Sequence, residues 1–97
     1  MTYMTREMMR RNENVNAANA FLKTDLGKNP ELLALIDEIK GNRLTLYYRK
    51  NLKLYIFCKV MDWFIEKDFL SDKKGGERVV VASNLAEKIC LDLGGQK

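Results

Sequence analysis

Between Ile39 and Met61 the chain carries six basic residues, Lys40, Arg43, Arg49, Lys50, Lys53 and Lys59, and no acidic one. Tyr47, Tyr48 and Tyr55 are interleaved with them. Cations beside phenols suit a phosphate backbone, because the cations displace condensed counterions and the hydroxyls donate hydrogen bonds. This segment holds the whole positive excess of the chain. Over 97 residues, 17 Lys and Arg stand against 13 Asp and Glu, a net charge of +4, so outside the segment 11 basic residues meet all 13 acidic ones. A smaller basic group, Lys73, Lys74 and Arg78, surrounds a Gly75-Gly76 turn. The competing reading is a solvated lysine face with the tyrosines packed in the core, and an acidic protein partner would suit the same charge.

Catalysis has little to work with. There is no histidine, which removes Ser-His-Asp and Cys-His chemistry, imidazole metal ligation and imidazole pH switching together. Cys58 and Cys90 are the only thiols, too few for a four-ligand zinc site, and their apolar neighbours predict buried free thiols in a reducing compartment. Ser71 and Ser83 have no G-x-S-x-G setting, and the glycines at 75–76 and 94–95 are pairs without the Lys-Ser/Thr of a phosphate loop. Asp62 and Glu66 remain as carboxylates for an unseen pocket, but their spacing reads as the solvated face of a helix. The expectation is therefore no enzyme, no cofactor, no metal and no small-molecule substrate. No apolar run approaches the ~20 residues of a membrane span, and Met1 to Arg11 lack the apolar core of a signal peptide. A cytoplasmic protein without a membrane partner is expected.

The elements that must position these residues read as one domain over 1–97, with an N-terminal helical arm over 1–26 and a core over 30–93. In the arm, Met4, Met8, Val15, Ala18 and Leu22 form a stripe at alternating steps of four and three, broken by Arg11. Asn12, Asn14, Asn16 and Asn19 lower its helix propensity, so it needs a partner, either the domain or a second copy. Leu26-Gly27 predicts a stop, and Asn29-Pro30-Glu31 a start by capping, a fitting φ and a favourable charge. Leu32, Leu35, Ile36 and Ile39 continue that helix to Gly41.

Residues 43–57 fit either a hairpin around Lys50-Asn51 or a short helix near 44–50 followed by a longer one near 52–68. Lys-Asn lacks the glycine a tight hairpin favours, so helices are preferred. Val79-Val80-Val81 after Gly75-Gly76 predicts a strand, paired with Phe69-Leu70-Ser71-Asp72 in a small antiparallel hairpin. Asn84 with Glu87 suggests a capped last helix, with Leu85, Ile89, Cys90 and Leu93 inward and Gly94-Gly95 ending it. The expected class is α+β and mostly helical, with four to five helices and one hairpin.

From residue 31 this order of elements resembles the winged-helix DNA-binding family. Helix 31–40, residues 44–50 and helix 52–68 would be its three helices, the last for recognition. Residues 69–72 and 77–81 would be the wing strands, with Lys73-Lys74-Gly75-Gly76 as the wing tip. The resemblance implies that Arg49, Lys50, Lys53 and Lys59 touch phosphates or base edges and that Lys73, Lys74 and Arg78 hold the flanking backbone. With Arg43 from the same segment, these are the candidate nucleic-acid contacts. Met4, Met8, Val15, Ala18 and Leu22 are the candidate dimer contacts.

Two functions are expected from these readings. One is a small non-catalytic DNA binder, working as a dimer in control of transcription or replication, in a phage or plasmid setting. The other is a protein-interaction module, an adaptor, inhibitor or small assembly subunit, that oligomerises through the N-terminal helix, whose Met4 and Met8 suit pliable interfaces.

Overall fold

The computed structural model describes residues 6–70 and 76–94, and of Leu46 and Arg49 the backbone alone. These residues form helices α1 (Arg6–Leu22), α2 (Pro30–Gly41), α3 (Arg43–Tyr47), a single 3-10 turn (Arg49–Asn51), α4 (Leu52–Glu66) and α5 (Glu77–Gly94). Among the described residues there is no strand. The α+β expectation with its hairpin is therefore replaced by an all-helical fold.

The predicted hairpin fails at its first arm for a local reason and at its second for a tertiary one. Asp68 adopts φ 52° after α4, its N–H donates to the Ile65 carbonyl at 3.2 Å, and the Phe69 N–H donates to the Phe64 carbonyl at 2.8 Å. That pair of bonds is the Schellman helix stop, completed by apolar contact between the third-last helical residue and the second beyond the cap. Here the contact is Phe64 with Phe69, ring centroids 5.2 Å apart. Leu70 is also at positive φ, 55°, so residues 69–70 turn instead of extending.

The second arm is the start of α5. Val79 and Val80 are exposed there, where β-branching in a helix costs well under 1 kcal/mol per residue. Ala82, Leu85, Ala86 and Ile89 recur at helical spacing and all four are buried, so packing overrides the strand preference of the valines. Gly76, at φ 96°, leads the chain into this helix and its carbonyl accepts from the Val80 N–H at 2.8 Å. Asn84, expected as a cap, is interior to α5. Ser71, Asp72 and the tip residues Lys73, Lys74 and Gly75 lie outside the described residues, as does Met4.

The start of α2 holds as drawn. The Asn29 Oδ1 accepts from the N–H groups of Glu31 at 2.8 Å and Leu32 at 3.1 Å, with Pro30 opening α2. Residues 43–57 follow the helical reading preferred over a hairpin, but the first helix stops at Tyr47, a turn at Tyr48 and the 3-10 turn lead into α4, and α4 ends at Glu66 instead of 68.

Helix α5 is the hub of the fold, with α1 and α4 packed against it and α2 touching its C-terminal half. Leu32, Ile36 and Ile39 of α2, Ile56, Val60 and Phe64 of α4, and Ala18 of α1 join the four buried α5 residues in one core. Alanines at 18, 82 and 86 let backbones approach closely. The stripe on α1 is thereby turned onto its own chain. Ala18 is fully buried, Val15 and Leu22 are half-buried, and Met8 is exposed.

Candidate nucleic-acid interface

The corner from α3 to α4 sets the tyrosines. Asn42 Oδ1 accepts from the Leu44 N–H at 2.8 Å to start α3, and the buried Thr45 hydroxyl donates to the Ile39 carbonyl at 2.7 Å, fixing α3 against the end of α2. Tyr48 leaves helical geometry at φ −90°, ψ 44°, and the 3-10 turn carries the chain into α4. Tyr48 stacks on Tyr55, one turn into α4, with centroids 4.5 Å apart and planes 14° apart. Tyr47 meets the Tyr48 ring edge-on at 5.5 Å and is 78% exposed. The Lys59 ammonium lies 5.7 Å from the Tyr55 centroid, in reach of its π-face. Tyr47 and Tyr48 are therefore on the surface, while Tyr55 is half-buried and packs against the core as well as against Tyr48.

Two open clefts meet at Lys50 and Asn51. One, of about 360 Å³, is walled on its other side by Tyr47 and Tyr48. The second, of about 440 Å³, runs between α4 and α5 over Leu54, Phe57 and Val79, with Lys53 and Ser83 at its edge. Among the described residues no carboxylate lines either cleft. Asn51 is at the cap position of α4, yet its side chain caps no backbone amide. Around Tyr55, Lys59 shares a smaller cleft with Glu38.

The structure separates the predicted cations into two sets. Arg43, Lys50 and Lys59 are exposed at the tyrosine corner and form no salt bridge among the described residues. Lys53 is held by Glu87, Nζ to Oε1 2.9 Å, and Arg78 by Asp68 at 3.4 Å and the Phe69 carbonyl at 3.0 Å. Lys40, from the same acid-free segment, binds Asp92 at 2.8 Å. Lys53 and Arg78 thus have structural partners that sequence neighbourhood did not reveal. Lys73 and Lys74 fall outside the described residues, and for Arg49 only the backbone is described.

Glu87 is the buried anion of the fold and takes two cations, Lys53 and, at 3.5 Å, Arg11 from α1. Burial, and after it the charge of Glu87, pushes the nearby Cys90 thiol up, against smaller opposing effects of Arg11 and Lys53. For Asp92, partial burial pushes the carboxyl up, but the hydrogen-bonded Lys40 ammonium, with Lys88 beyond it, outweighs this and holds it below its ordinary value. Cys58, expected to be buried, is exposed on α4, while Cys90 is half-buried; both are free thiols. Among the described residues no three His, Cys, Asp or Glu side chains gather as a metal site, and no helix is long and apolar enough to cross a membrane. Comparison with protein-family models, curated proteins and solved structures found no match.

Proposed function

We propose that this chain is a small, non-catalytic DNA-binding protein whose contact surface is the α3–α4 corner. The observation that carries the reading is that Lys50, in no salt bridge among the described residues, shares a cleft with the exposed Tyr47 and Tyr48, and that no carboxylate among the described residues lines that cleft or the one adjoining it. Lys59, over the Tyr55 ring, adds a third cation, after Lys50 and Arg43, beyond the tyrosines and beside Glu38. Such a surface attracts a polyanion through counterion release, and a regulatory role in transcription or replication needs no further chemistry from the protein. The test is binding of labelled oligonucleotides, duplex and single-stranded, at 50 and 200 mM salt. Three phosphate contacts predict a loss on the order of tenfold to fiftyfold over that range. Absence of binding to either form at low salt rejects the reading.

A second reading has its own observation. Leu54 (60% exposed), Ile65 (57%), Val80 (56%) and Val79 leave apolar surface along α4 and the start of α5. This favours a protein partner on that side of the molecule, and not on the α1 stripe, whose Ala18 is already buried in the core. Light scattering over a hundredfold concentration range tests self-association: a mass that stays at 11.3 kDa excludes a second copy as that partner.

A further inference from the structure

We infer that the nucleic acid taken by this surface is single-stranded, with bases received on both sides of a Lys50–Asn51 ridge. The inference rests on the nucleic-acid reading above and names the form of the ligand. Tyr47 is the first reason. The residue is 78% exposed, and its one ring contact among the described residues is edge-to-face with Tyr48, so a face remains open. A duplex keeps its base faces stacked inside and offers that ring nothing to lie on, whereas an unpaired base has a π-face for it.

The second reason is the pair of clefts. They adjoin across Lys50 and Asn51, so one phosphate on the Lys50 ammonium would leave its two flanking nucleosides over the tyrosine cleft and the α4–α5 cleft. The latter has an apolar floor of Leu54, Phe57 and Val79 for a base plane. Asn51, whose side chain caps nothing, and Ser83 supply donors and acceptors for a base edge. The third reason is what a duplex would need. Lys53 and Arg78, which a groove-docked helix and wing would present to phosphates, are instead held by Glu87 and by Asp68 with the Phe69 carbonyl.

The experiment compares a fluorescent twelve-residue oligothymidylate with a duplex of equal length at low salt, using the wild-type chain, Tyr47→Ala and Tyr47→Phe. Tyr47 is exposed, so both variants keep the fold, which circular dichroism checks. The expected result is oligothymidylate bound at least tenfold more tightly than duplex. Tyr47→Ala then weakens the single strand by about fivefold to a hundredfold, and Tyr47→Phe retains most of the affinity, because stacking and not the hydroxyl is at stake. Duplex binding as tight as single-strand binding, or Tyr47→Ala without effect on the single strand, overturns the inference and leaves the nucleic-acid reading standing. Binding to neither form overturns both.

Discussion

The Lys53 ammonium sits 2.9 Å from the Glu87 carboxylate, although 34 positions separate the two in sequence. With Arg11 on its other oxygen, Glu87 joins α1, α4 and α5 at one buried point. The pair turns a lysine from the acid-free segment into a tie within the fold.

Removing the partners of Glu87 should cost more than neutralising it. Glu87→Gln, which keeps shape and hydrogen-bonding capacity, is expected to lower unfolding free energy by about 1 kcal/mol, since both cations are half-exposed and well solvated. Arg11→Met with Lys53→Met strands the buried carboxylate and is expected to cost about 2–3 kcal/mol. Urea denaturation of the three proteins gives the order directly, and equal midpoints for the double variant and wild type would refute it.

Affinity for oligonucleotides should divide along the same line. Lys50→Ala is expected to weaken binding severalfold and to reduce the salt slope by about one contact. Lys53→Met should leave the slope nearly unchanged while lowering the urea midpoint. The reverse pattern would show that the cation held by Glu87 is the one facing the ligand.

Gly27 should not tolerate a side chain. It is buried in the α1–α2 link, where a Cβ would collide with the Phe21 carbonyl and the Leu22 backbone, and its N–H donates to the Thr24 hydroxyl at 3.1 Å. Gly27→Ala is expected to cost about 1–3 kcal/mol, read as a lowered thermal midpoint, because backbone and not a flexible side chain must yield.

Acid should loosen the contact between α2 and α5. The Asp92 carboxyl is held below its ordinary value by Lys40 and Lys88, so its contribution is complete above the unfolded pKa, about 3.9, and disappears as pH falls through the lower folded value. Asp92→Asn should therefore flatten the stability curve below about pH 4 and change its slope little near neutrality. Denaturant midpoints at several pH values decide it.

How far the sequence discloses this molecule depends on the range of the interaction. Asn29-Pro30 announces α2 because capping is settled within three residues. The α3–α4 corner is only half readable: Lys50-Asn51 lacks the glycine of a tight hairpin, which favours helices but does not place the break at Tyr48. The valines at 79–81 mislead, because a local β preference of under 1 kcal/mol yields to a buried face formed by Ala82, Leu85, Ala86 and Ile89 against other helices. The corner's tyrosines and cations are visible as composition, yet which cations are already engaged is not. Lys40 finds Asp92 across 52 positions and Lys53 finds Glu87 across 34, separations at which a count of neighbouring charges is blind.

The helix on which the others pack is also the later one along the chain, and this sets an order of events during synthesis. At a ribosomal rate of roughly 5–20 residues per second, α1 is complete some seconds before Glu77–Gly94 emerges. Until then its asparagine-weakened turns, and the apolar sides of α2 and α4, have no hub to settle on. The contacts that α1 and α4 make with α5 can form only after Glu77–Gly94 has emerged.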